Sequence, residues 1–561
     1  MDQKTSFAGK LLLPLLALAS SACAATTAAA PAPETPRTSP PPLVAPASAL
    51  SAEAFVIDGP VREEWIPLLK PSAVDPAKAK LLAPPPGLAA LPAACDAFAT
   101  RKGEGKASCA DPTAALAALD AALGRATPEQ RDAALVDLDG CAGLPAGIAR
   151  AVRAELAPIE CAESIVEPFL KAPPPATNGI VYGAMLGQAI AGRLARTAHD
   201  PPTLPLPHDK ARVLAFVKGP MFAWFEQQAL AIESISQAAA ELPYYGKGIA
   251  AVEAGVADLR LVEAVRGGPV PDEFKKDEEL RNIYYGNLDQ LLDPRKDRGR
   301  DAALVGLKEL SLVGVIRDAR VDRARVMLSR LYGGRRIDAL DTLLLPQLPP
   351  AAPASVEERL AARLPTLYAG LLLDEQAASR AGTLRQLLER GVPLPQRMAL
   401  RKAQLTPEGR ALYARAHLEL GRLYWRAVDF DQAAALAASA RADRSDDATF
   451  TLALALALRG GPEDAADMMR KAPRALPAPR TTALDAIAAQ TPPSPGAGFA
   501  AFDAALLHQL GSPEGSGASY WSDVAQRFHA AAAQLTVPAQ RAVAEDRAKA
   551  AEDVARAVAG K

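Results

Sequence analysis

Residues 109–141 run CADPTAALAALDAALGRATPEQRDAALVDLDGC, and two helices with one turn between them can be read from that stretch alone. From Asp111 to Leu123 apolar residues recur at helical spacing, and Gly124 stands just past them. The pattern restarts from Thr127 to Leu138, opened by Thr127-Pro128-Glu129-Gln130 and followed by Gly140. That opening supplies a capping hydroxyl, a proline where the first amide has no partner to lose, and an early acid at the positive end of the helix. Helices joined by so short a loop pack antiparallel. Cys109 and Cys141 then stand side by side at one end of the hairpin.

This geometry chooses among the pairings open to Cys95, Cys109, Cys141 and Cys161, the cysteines that remain once Cys23 is set aside. Joining Cys141 to Cys161 would bridge the ends of the next helix, Ala146 to Glu155. Such a helix spans ~15 Å, whereas bridged Cα atoms lie within ~7 Å. Cys109 therefore pairs with Cys141 and, by elimination, Cys95 with Cys161. The bland alternative is four free thiols in a helical core. A metal site is disfavoured, because there is no Cys-x-x-Cys and the nearest histidine, His199, is remote.

The same reading extends along the chain. Between its 50 prolines Ala, Leu, Arg and Glu dominate, and no run alternates Val, Ile and aromatics as a strand would. Helices are expected over residues 211–240, 249–265, 301–317, 322–331, 336–345, 356–373, 377–390 and 536–561, broken at Gly or Pro. The fold class is all-α, with helical hairpins stacked as an irregular α-solenoid after the disulfide-stapled unit.

The first residues add an address. Lys4 and Lys10 precede an apolar run from Leu11 to Ala19 and then Ser20-Ser21-Ala22-Cys23, the pattern of an export signal and too short for a span. The small residues before Cys23 resemble the lipobox of bacterial lipoproteins, which implies a diacylated Cys23, with Ser20 in place of the usual Leu. Cleavage after Ala24 is the competing reading. Ala, Pro, Thr and Ser then continue to about Ser51, a semi-rigid spacer. The expected organisation is residues 1–22 as signal peptide, 23–51 as lipidated cysteine and linker, and 52–200 as the four-cysteine helical unit. Residues 201–347 follow as a helical domain, 355–492 as helical repeats and 493–561 as C-terminal helices.

Within 411–440, Leu420, Gly421, Tyr424, Phe430, Ala433 and Ala440 fall at the mutual spacings of a tetratricopeptide repeat, and the hairpin resembles that family. Small residues at Gly421 and Ala433 let two helices approach while Tyr424 and Phe430 fill the groove. His417 stands where the family often has Trp and Ser445 where it usually has Pro. A weaker copy runs through Ala453, Leu456, Ala465, Met469 and Ala472, and a generic helical hairpin is the bland alternative. The resemblance implies a protein-binding surface, with Arg415, Arg422, Tyr424 and Arg426 as contact residues. Tyr244-Tyr245-Gly246 and Tyr284-Tyr285-Gly286 also hint at an irregular repeat.

With 63 basic and 64 acidic residues no global field attracts nucleic acid, which export also disfavours. Between Arg295 and Arg336 bases outnumber acids. These are either solvated helix faces or an anionic contact at Arg317, Arg320, Arg323, Arg335 and Arg336. Five scattered histidines, no phosphate loop and no nucleophile elbow leave no cofactor or metal to assign. Glu233-Ser234, Gly248-Ile249 and Asn282-Ile283 with Gly286 are similar in order and spacing to soluble lytic transglycosylases, which would make Glu233 a catalytic acid. The family's Tyr-Asn-Ala-Gly segment is absent near residue 310.

The reading that follows is a non-catalytic scaffold or adaptor, lipid-anchored in the envelope of a Gram-negative bacterium and binding another envelope protein. The outer membrane facing the periplasm is the expected address, with a soluble periplasmic or secreted protein as the alternative. A transglycosylase using Glu233 and a purely structural envelope protein are the other functional readings.

Overall fold

The computed structural model describes residues 73–560, apart from 104, 106–108, 110, 176, 314, 316–317, 332–339, 347–354, 374–406, 425–426, 442–445 and 460–480. Among these residues all regular structure is helical, with no strand. The expected leader, Cys23 and linker, the helix at 377–390, and Arg317, Arg335, Arg336, Arg426, Ala465, Met469 and Ala472 lie outside the described residues. No described helix is long and apolar enough to cross a membrane. The chain divides into two compact units.

The first unit comprises residues 73–310 and 320–328, and its opening follows the sequence closely. Helix α1 is Pro112–Leu123, with the Asp111 carboxylate accepting from the Ala114 amide, and α2 is Pro128–Asp137, with the Thr127 hydroxyl accepting from the Gln130 amide. Helix α3 is Ile148–Leu156. Both expected disulfides are present, Cys109–Cys141 with Cα atoms 5.6 Å apart and Cys95–Cys161 at 5.0 Å. After α4 (Ala162–Lys171) comes the centre of the unit, α5 (Gly179–Ala195), in which every residue from Val181 to Ala195 is buried. Being buried on all sides, α5 carries no amphipathic stripe to mark it.

The expected helix over 211–240 is two helices, α6 (Lys210–Phe216) and α7 (Phe222–Ala239), joined by a π turn at Val217–Met221. Pro220 sits in that turn and has no amide to give an i−4 carbonyl, so the coil widens there. Helix α8 (Tyr244–Arg266) crosses α5 so tightly that a Cβ on Gly187 would lie 2.4 Å from the Gly246 backbone. Gly286, in the other Tyr-Tyr-Gly, has open space at its Cβ. The two motifs therefore occupy different environments. The expected helix over 301–317 is the end of a much longer one, α9 (Glu278–Leu312), which runs through Pro294. Beside that proline Lys296 pairs with Asp289 and Asp293 and Arg300 with Asp297 and Asp301, local bonds that carry the helix across the break. Helix α10 is Ala319–Leu331.

Carboxylates gripped by two arginines tie this unit together. Asp132 meets Arg101 and Arg153, Glu163 meets Arg193 and Arg196, Glu253 meets Arg260 and Arg323, and Asp258 meets Arg295 and Arg298. Such acids tolerate burial because each lies against two guanidinium charges, although Asp258 Oδ2, 3.1 Å from Arg298, makes no hydrogen bond.

The second unit comprises residues 311–319 and 329–560. Pro365 splits the expected helix over 356–373 into α11 (Val356–Arg363) and α12 (Thr366–Leu372). Helices α13 (Pro407–Tyr424), α14 (Ala427–Arg441) and α15 (Asp446–Leu458) follow, then α16 (Thr482–Ala488), α17 (Ala497–Leu510), α18 (Ala518–Gln534) and α19 (Pro538–Ala559). From α13 to α19 each described helix packs on the next described one. Leu420, Ala433 and Ala440 are buried, and a Cβ on Gly421 would lie 2.7 Å from the Phe430 ring. His417 bonds Asp429 at 2.9 Å, both fully enclosed, so a polar tie joins α13 to α14.

Candidate functional site

A proline-rich arm, residues 73–91, lies over α5 with no helix of its own. Pro76, Pro84, Pro85 and Pro86 exclude helix and fix φ, so the arm stays extended and its backbone groups need other partners. They find them on buried side chains. The Tyr182 hydroxyl donates to Ala79 O at 2.8 Å, Arg193 to Leu82 O, Arg196 to Ala89 O at 3.0 Å, and Gln228 of α7 to Gly87 O at 3.0 Å. Burial raises Tyr182 above an ordinary phenol and pulls Arg196 below an ordinary guanidinium, the latter opposed by Glu163.

Between the arm and α4 lies a cleft of 660 Å³. Pro76, Leu81, Leu82 and Leu170 line it, with Lys80 and Lys171 as its exposed cations and buried Arg193 at its base. Lys171 pairs with Glu167 at 2.8 Å, while Lys80 has no carboxylate partner among the described residues. Sequence reasoning passed over this region because its cation, its apolar wall and its arginine are spread from residue 80 to 193. The one local signal is lysine among prolines at 76–86.

The residues nominated for a partner are internal to the second unit. Arg415 donates to Pro346 O at 3.1 Å and pairs with Asp447, Arg422 donates to Leu343 O at 3.2 Å and pairs with Glu419, and the buried Tyr424 hydroxyl donates to Val315 O at 2.8 Å. They hold the chain around 340–346 and 315 in place. Of the nominated anion contacts, Arg320 meets Glu155 at 2.8 Å and Arg323 meets Glu253, both within the first unit.

Glu233 is half-exposed and bridges Arg295 at 2.8 Å and Arg298 at 2.6 Å, the same arginines that hold buried Asp258. Its surroundings are two guanidinium groups and solvent, not an enclosed apolar wall. Gly248 is packed on Leu310 and Ile249 is fully buried.

One further polar cluster was not foreseen. In the second unit His508 faces Asp523 at 3.1 Å, Arg527 joins Asp523 at 2.9 Å and Asp485 at 3.4 Å, and the Thr481 hydroxyl donates to Asp485 at 2.9 Å. The Tyr520 hydroxyl donates to His508 O at 2.7 Å, and burial pushes this phenol up to about 12. Burial lowers His508 and raises Asp485. The members bind one another across α16, α17 and α18. Only the Asp523–Arg527 and Thr481–Asp485 pairs, both four residues apart, are local in the sequence.

Compared with family models, curated proteins and solved structures, the chain matches none of them.

Proposed function

We propose that this chain is an exported, lipid-anchored helical scaffold that holds another protein in the cell envelope of a Gram-negative bacterium, and that it is not an enzyme. The observation that carries the reading is the pair of disulfides, Cys95–Cys161 and Cys109–Cys141, in a chain whose described regular structure is all helical. Such bonds persist in oxidising compartments, in line with the leader-like start and with Cys23 behind it. A spacer behind a lipidated cysteine gives a folded body reach from the membrane surface. In the second unit, α13–α15 and α16–α19 read as an irregular stack of tetratricopeptide-like hairpins, whose surfaces bind proteins without chemistry. Arg415, Arg422 and Tyr424, the expected contact residues, make bonds inside that unit.

Metabolic labelling with a clickable palmitate tests the anchor. The chain should take up label, lose it with Cys23→Ser, and fractionate with membranes only when labelled. In-cell crosslinking before fractionation should then join the wild-type chain to one envelope protein at fixed stoichiometry. A cytosolic chain with its leader intact and its thiols reduced would refute both the address and the role.

A further inference from the structure

We infer that the cleft beneath the proline arm is a binding site for a long-chain carboxylate, an anionic amphiphile with a single aliphatic tail. Its 660 Å³ falls within the range of small-molecule sites, about 300–1,000 Å³. Pro76, Leu81, Leu82 and Leu170 give it an apolar wall, and Leu82 presents that wall while 59 % exposed. The tail of an amphiphile removes such surface from water.

Charge selects the head group. Arg193, which lines the cleft, and Arg196, which does not, share the single carboxylate of Glu163, so the trio carries one net positive charge. Lys171 is balanced by Glu167, and Lys80 is not balanced. A concave site with low-dielectric walls and surplus positive charge concentrates anions, and Lys80 is placed to meet one. An extended acidic peptide is the poorer fit. It would need backbone acceptors from the arm, and Ala79 O and Leu82 O already accept from Tyr182 and Arg193. The same bonds and the fixed φ of the prolines hold the arm in shape beforehand, which lowers the ordering cost of binding.

The inference stands apart from the envelope role and is tested separately. The full-length chain, carrying Cys23→Ser so that no acyl group can be attached there, is titrated by calorimetry with carboxylates of eight to sixteen carbons. One site is expected, with affinity rising about fourfold for each added methylene until the cleft is filled. Dodecan-1-ol should bind at least tenfold more weakly than dodecanoate. Lys80→Glu should weaken dodecanoate at least tenfold, as should Leu82→Asp, and melting curves show that each variant is folded. Lys80→Gln serves if Lys80→Glu does not fold. Equal binding of alcohol and acid, no dependence on chain length, displacement of dodecanoate by a polyglutamate peptide, or folded variants that bind as the parent does would each overturn it.

Discussion

Replacing Glu163 by Gln removes one charge and leaves two behind. In the folded first unit Glu163 lies between Arg193, 2.5 Å from Oε1, and Arg196 on Oε2, with all three side chains nine-tenths or more covered. Breaking a buried pair from one side costs about 3–5 kcal/mol because the orphaned charge has no water to turn to. Here both guanidinium groups keep a backbone acceptor, Leu82 O and Ala89 O, which holds the expected loss for Glu163→Gln near about 4 kcal/mol. For a unit of this size about 2–4 °C accompanies each kcal/mol, so its calorimetric transition should fall by roughly 8–16 °C. Arg193→Met deletes one cation and leaves Glu163 with Arg196, a balanced pair. It should cost about 2 kcal/mol, the worth of charged hydrogen bonds. Changing all three residues together, to Leu, Met and Met, should recover most of the loss, since an apolar trio of similar volume needs no solvation. A Glu163→Gln protein melting within about 2 °C of wild type, or Arg193→Met costing as much as Glu163→Gln, would refute the two-arginine account of this unit.

Asp503 on α17 is fully buried, with one oxygen accepting from the Leu344 amide at 2.8 Å and the other without a hydrogen bond. Burial pushes its carboxyl well above the carboxylate range, against the pull of that amide, Arg422 and Arg415. The folded chain thus binds this proton more tightly than the unfolded chain. Its stabilisation is complete below about pH 4 and is lost as pH rises through the folded value. Asp503→Asn should flatten the decline of melting temperature as pH rises above about 4, and a slope as steep as wild type would refute this. Gly187→Ala should destabilise more than Gly421→Ala, because the first added Cβ meets backbone at 2.4 Å and the second a Phe430 ring that can swing. Urea midpoints in the reverse order would show that α5 and α8 can separate. Each disulfide closes a long loop, 66 or 32 residues, so removing either as a Cys→Ser pair should cost about 4 kcal/mol by chain entropy. Non-reducing peptide maps linking Cys141 to Cys161 would contradict the observed pairing.

The legible parts of this fold are those whose physics is local. Asp111, Thr127 and Pro128 mark helix starts within a few residues of their effect, and from these starts the Cys109–Cys141 pairing followed by distance alone. Gly421 and Phe430 belong to one hairpin, so their contact was readable as spacing. Helix α5 was not, because burial on every side leaves no periodic contrast between faces. Nor could residue counts foresee that α9 would run through Pro294, since tertiary packing and four local ion pairs outweigh one missing amide bond.

The arginines separate composition from placement. A run of bases from 295 to 336 reads as a patch awaiting an anion, yet Arg295, Arg298, Arg320 and Arg323 meet Asp258, Glu155 and Glu253, acids drawn from 155–258. An interior acid is costly unless its oxygens find charged donors. A helical unit built around so buried a centre as α5 carries Asp258 and Glu253 inside with Arg260 of their own helix and with Arg295, Arg298 and Arg323 from later helices. The sequence excess of arginine is in this part of the molecule a debt owed to earlier carboxylates. Near the cleft the relation is reversed, because Glu163 and Glu167 face Arg193, Arg196, Lys171 and Lys80. Positive charge is left over beside the proline arm, where no stretch of sequence looks basic.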